Sequence, residues 1–82
     1  MGIKYKYDPE DYSGMMLLRE DLELFYKAHT EYTKNNSADN KNAVDKAGYE
    51  LFFSIKHREV EGFLNPIAAR ELREYMEELL DN

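Results

Sequence analysis

The chain predicts an all-α fold: an antiparallel three-helix bundle preceded by an extended N-terminal arm. Three observations carry this expectation. Long stretches place apolar residues at alternating spacings of three and four, two clusters of turn-forming and capping residues separate those stretches, and strand-like alternation is confined to the first seven residues. A length of 82 residues fits one domain, read as an arm over residues 1-8 and a helical domain over residues 9-82. A chain this short buries only about 60–65% of its unfolded surface, so its core is modest and a partner or a second copy would add stability.

In the arm, Ile3, Tyr5 and Tyr7 alternate with Lys4 and Lys6. A period of two gives an extended segment one apolar face, but so short a segment needs something to lie on. It is expected either to dock loosely on the domain or to pair as an edge strand with a copy or a partner.

Asp8-Pro9-Glu10-Asp11 is a helix-start signal: a capping carboxylate, a proline whose missing N–H is harmless there, and acids facing the positive end of the dipole. Ser13-Gly14 offers a second start, which leaves Pro9 to Tyr12 as a possible separate turn. Helix one is expected over about 14-34, with a seam of Met15, Leu18, Leu22, Phe25, His29 and Tyr32 and a second strip of Leu17, Leu24 and Ala28. An apolar arc of about half the circumference predicts that helix one is central, with two neighbours. Asp21 is expected at the border of that arc with its charge in water, and Glu23 is set to pair with Lys27 one turn on.

Residues 35-40, Asn-Asn-Ser-Ala-Asp-Asn, reverse the chain. Helix two, about 38-61, carries a seam of Val44, Ala47, Gly48, Leu51 and Ile55, with Phe52 on its border and Tyr49, Phe53 and Val60 as a second strip. Gly48 costs about 1 kcal/mol of helix propensity and so marks a close approach of helix one. Gly62 stops the helix, Phe63 can close the turn, and Asn65-Pro66 opens helix three over about 66-80. Leu64 and Ala69 stand at the staple positions around that cap. Ala68, Leu72, Tyr75, Met76, Leu79 and Leu80 form the apolar side of helix three, opposite Arg70 with Glu74 and Arg73 with Glu77.

The net charge of -6 is uneven: residues 1-7 carry +2, residues 8-26 carry -5, residues 27-58 carry +2 and residues 59-82 carry -5. Phosphate neutralisation needs clustered Lys and Arg, so direct binding to nucleic acid or to anionic membrane is disfavoured. The tight turn before helix three resembles a helix-turn-helix only in spacing, because Arg70 and Arg73 face Glu71, Glu74, Glu77, Glu78 and Asp81 on that helix. The absence of cysteine removes disulfides and thiolate chemistry. No apolar run approaches the roughly 18 residues of a membrane span and the first residues lack the apolar core of a secretory signal, so the expected location is cytoplasmic.

No constellation carries chemistry. Neither His29 nor His57 has a second ligand at metal-site spacing. His29 is read as a partly buried residue bonded by a neighbour, His57 and Glu61 as a solvated pair. Asp39 to Glu50 has acids twelve residues apart but puts Lys41, Ala43 and Val44 where a calcium loop needs two oxygen ligands and a glycine. Ser13, Ser37 and Ser54 lie in no nucleophile elbow, and no phosphate-binding glycine loop is present. The expectation is therefore a protein without catalytic activity, cofactor, metal or small-molecule substrate.

Seven tyrosines and four phenylalanines are the feature most relevant to function, because amphipathic aromatics anchor interfaces. Tyr12, Tyr26, Tyr49 and Tyr75 are expected to border the core of the bundle, and Tyr5, Tyr7, Leu17, Leu24, Phe52, Phe53 and Phe63 are the candidate interface residues of a small interaction module that binds a protein partner or a second copy of itself. The alternative is an acidic decoy, like a DNA mimic or an antitoxin, that occupies a basic nucleic-acid-binding protein through Glu10, Asp11, Glu20, Glu23, Glu71, Glu74, Glu77 and Glu78.

Overall fold

In a computed structural model of the chain, which describes residues 4–81, a 3-10 turn at Pro9–Tyr12 is followed by three α-helices: α1, Met16–Lys34; α2, Ala38–Val60; and α3, Pro66–Asp81. The fold is an all-α three-helix bundle, and the described residues contain no strand. Ile3, part of the expected alternation, lies outside the described residues.

Local chemistry sets each boundary. The Asp8 carboxylate accepts from the Glu10 amide at 3.0 Å and caps the 3-10 turn, so Pro9 to Tyr12 form their own element. α1 starts at Met16, after the turn at Ser13-Gly14, without a side-chain cap. Between α1 and α2, the Ser37 hydroxyl accepts from the Asn40 amide at 3.2 Å. The Asn40 side chain in turn donates to the Asn35 carbonyl at 2.7 Å, an acceptor that the helix end leaves open, and at 3.4 Å to the Glu31 carbonyl, which also accepts from the Asn35 amide. At the end of α2, Gly62 takes φ +84°, the left-handed conformation that glycine adopts without penalty. Phe63 then donates to the Arg58 carbonyl at 2.9 Å and Gly62 to the Glu59 carbonyl at 3.1 Å, the paired bonds of a Schellman cap. Asn65 caps α3 by accepting from the Ile67 amide at 2.8 Å.

Contacts across α1 and α2 run in descending order along α2. Asp21 accepts from Ser54, Phe25 faces Gly48, and the Glu31 carbonyl accepts from Asn40. Leu18, Leu22 and Phe25 of α1, Val44, Leu51 and Ile55 of α2, and Ala69, Leu72 and Met76 of α3 fill the core, each nearly or fully excluded from solvent. Gly48 marks a close approach: a Cβ there would lie 3.3 Å from Phe25 and 3.3 Å from Leu80, which would have to give by a few tenths of an ångström, so α1 and α3 both close on this one point of α2.

Four details of the sequence reading are corrected. α2, not α1, is the middle element, because α2 packs along both other helices, while α1 meets α3 less extensively, as at His29 and Leu79, and takes the 3-10 turn on its other flank. Ala69, not Ala68, faces the core of α3, drawn in with Leu64 around the cap. Asp21 is half-buried and holds the Ser54 hydroxyl rather than standing free in water. Ion pairs also differ from those expected: Glu23 pairs with Arg19 and Glu61 with Arg58, each one turn back along the chain, and Arg73 crosses to Glu59 of α2 at 2.9 Å. Of the expected pairs on α3, Arg70 with Glu74 stands at 3.8 Å, and both groups are so exposed that the pair adds little.

Candidate interaction surface

The seven apolar candidates divide into two groups. Leu17, Leu24, Phe53 and Phe63 are exposed, at 58%, 55%, 55% and 66% of their maximal areas. Tyr5, Tyr7 and Phe52 are instead half-buried against the core of their own chain, which corrects the reading of them as outward anchors. Phe52 leans toward α3 beside Glu59, Val60 and Arg73, because the border of the α2 seam falls on the side that α3 covers.

The exposed group has a definite arrangement. Leu17 of α1 and Phe53 of α2 line one hollow together with Ser54 and His57, and Tyr49 packs edge-on against Phe53 with ring centroids 5.0 Å apart. Further along the same helix pair, Leu24 and Ala28 of α1 meet Ala43 and Ala47 of α2 in an open groove of about 370 Å³. Lys27 and Glu31 border it from α1, Lys46 and Glu50 from α2. Small residues at Ala43 and Ala47 leave the floor of this groove low, so Leu24 and Ala28 remain reachable from outside. Sequence reasoning found Leu17, Leu24 and Phe53 but not the contribution of Ala43, whose signal is its place one turn before Ala47 on the flank of the α2 seam. Phe63 stands apart from this groove, at the α2–α3 turn.

Tyr5 and Tyr7 have a different place. The Tyr5 ring stacks on Tyr26 with centroids 3.8 Å apart and planes 8° from parallel, and its hydroxyl reaches Thr30 Oγ1 at 2.8 Å and His29 Nδ1 at 3.0 Å. The Tyr26 hydroxyl donates to the Tyr7 carbonyl at 2.7 Å, and the Tyr75 hydroxyl accepts from the Lys6 amide at 2.9 Å. Tyr7 also packs edge-on against Tyr75. Residues 4–9 alternate exposed and half-buried, as a period of two implies, but the buried side faces α1 and α3 through tyrosines rather than a neighbouring strand. Burial raises the Tyr5, Tyr12 and Tyr26 phenols above their ordinary values, so these rings are neutral packing groups with one polar end.

His29 lies at the inner edge of this cluster, buried on the α1 seam. Burial holds its imidazole below the ordinary value, and a hydrogen bond to the backbone of Leu79 only partly opposes that. The unfolded imidazole titrates near about 6.5, so between that value and the lower folded one the unfolded chain binds more protons. The stability due to neutral His29 is therefore complete above about pH 6.5 and is lost as pH falls from there toward the folded value. We expect the urea midpoint to drop between about pH 7.5 and about pH 5, and to drop less in His29→Gln. An equal drop in both proteins would contradict this assignment.

All eight acidic candidates are exposed. Glu10 and Glu23 share Arg19, at 3.0 and 3.1 Å, and Glu74 is beside Arg70, so part of the acidic surface is locally neutralised. Among the described residues no three of His, Asp and Glu converge in a way that could hold a metal ion. No helix of the described residues is long and apolar enough to cross a membrane.

Comparison with protein-family models, with curated proteins and with solved structures found no match to the chain.

Proposed function

We propose that the chain is a small cytoplasmic protein–protein interaction module, self-associating and without catalytic activity, that works through the α1–α2 face. The observation that supports this is the exposure of Leu17, Leu24 and Phe53 on the α1–α2 face, Leu17 and Phe53 at one hollow and Leu24 in the neighbouring groove, while the core is filled by other residues. Apolar side chains so grouped contribute more when a second surface removes them from water, at about 25 cal/mol per Å². A net charge of -6 opposes direct nucleic-acid binding.

The acidic decoy is the second reading, supported by the exposure of its eight carboxylates. The two readings differ in their response to salt, because charge pairing is screened and apolar burial is not. Capture from the native lysate is compared for the wild type and Leu17→Lys/Phe53→Lys at about 20 mM and about 300 mM salt, with the mass of the complex measured. The interaction module predicts a complex that persists at high salt and is lost in the double variant. Release by salt with no effect of the two lysines would replace it with the decoy.

A further inference from the structure

We infer that the occupant of the α1–α2 groove is a second copy of this chain, seated groove to groove. The inference rests on the reading of the chain as an interaction module and names the partner of that surface.

The argument is one of matched chemistry. The floor, Leu24, Ala28, Ala43 and Ala47, is apolar and low, so what fills it must itself present exposed apolar side chains. The rim carries both signs in equal number: Lys27 and Glu31 on α1, Lys46 and Glu50 on α2. None of these four side chains is in an ion pair among the described residues, whereas Arg19, Lys41, Arg58, Arg70 and Arg73 all are. A basic partner would meet Lys27 and Lys46, and an acidic one Glu31 and Glu50. A partner with an apolar strip and a rim of both signs satisfies all four, and a second copy related by a two-fold axis supplies one, each lysine set against a glutamate of the other molecule. Asp21, one turn from both Leu17 and Leu24, already has the Ser54 hydroxyl as a donor, so its carboxylate enters the contact with a partner in place.

The salt dependence follows from the same charges. The rim sums to zero, so the -6 of each molecule lies elsewhere and opposes the approach of two copies at long range. Screening also weakens the rim pairs, but exposed pairs of this kind contribute little, so relief of the net repulsion outweighs that loss, apolar burial stays intact, and association should tighten with salt, by about threefold or more in Kd between about 20 mM and about 300 mM NaCl.

Sedimentation equilibrium of the purified chain tests this. The expected result is a dimer that tightens with salt, is abolished by Leu24→Lys and survives Phe63→Lys. Two rim variants complete the test. Lys27→Glu/Lys46→Glu and Glu31→Lys/Glu50→Lys should each be monomeric alone and form a mixed dimer when combined. All these positions are exposed, and helicity by circular dichroism confirms that each variant is folded. A wild-type dimer that survives Leu24→Lys, that weakens with salt or whose rim variants fail to combine overturns groove-to-groove pairing but leaves an interaction module using another face. A wild-type monomer up to millimolar concentration overturns the pairing and, with it, self-association; the module reading then stands or falls on the lysate capture.

Discussion

Phe25→Ala is expected to lower the unfolding free energy by about 3–5 kcal/mol, the largest effect of any single truncation in the chain. The ring is fully buried on the α1 seam, close to Tyr26 and His29. It also faces Gly48, where even a Cβ would come within 3.3 Å. Removing it leaves a void that Gly48 cannot fill, having no side chain, and that Leu80 fills only by leaving its own place. Domains of this kind are held by about 5–15 kcal/mol in total, so the variant is expected to be partly unfolded without denaturant. Leu24→Ala, one residue earlier on the exposed face, should shift stability by no more than about 0.5 kcal/mol. Urea midpoints of the two variants check this, and similar shifts would mean that the division between core and groove is wrong.

The second large effect is expected at Tyr26. Tyr26→Ala removes the ring on which Tyr5 stacks and the hydroxyl that holds the Tyr7 carbonyl at 2.7 Å, at a cost of about 3 kcal/mol. Tyr26→Phe keeps the ring and loses only the hydrogen bond, at a cost of about 1 kcal/mol because the part-buried carbonyl is left without this donor. The two variants should differ most in the segment before α1. The Lys6 amide, which donates to Tyr75, should lose its protection from hydrogen exchange in Tyr26→Ala and keep part of it in Tyr26→Phe. Leu51 and Ile55 of α2 should remain protected in Tyr26→Phe. A Lys6 amide that exchanges equally in both variants and in the wild type would show that the tyrosine cluster does not hold the segment.

These two sites also show where sequence and structure divide. Phe25 was legible because a residue at the centre of a seam of spacing three and four has one direction to face, and the same periodicity identifies Leu18, Leu22, Val44, Leu51, Ile55, Leu72 and Met76. Tyr26 was legible only as a border residue. It lies one position off the seam, and its burial depends on Tyr5, twenty-one residues away, folding back across α1. Tyr5 and Tyr7 were read as outward anchors for the same reason: period two shows that they share a side but not what that side meets. Of the candidate interface, Leu17, Leu24 and Phe53 could be found as a second apolar strip, since a strip wider than one neighbour covers remains open. That Leu24 meets Ala43 and Ala47 in a groove while Leu17 meets Phe53 at a separate hollow depends on how α1 and α2 align.

The sequence by itself determined three helices, the Gly62 and Asn65-Pro66 boundary and most of the residues that fill the core, Tyr26 and Ala69 apart, because each follows from contacts within a few positions or from a periodicity along one helix. Only the tertiary structure decided that α2 is the middle element, that the N-terminal tyrosines close on Tyr26, His29 and Tyr75, that Arg73 reaches Glu59, and that a charge-balanced groove stays open between α1 and α2. Those outcomes join residues far apart in the chain, and which of several similar partners meet is fixed by how the helices pack as solid bodies, a choice that local spacing leaves free.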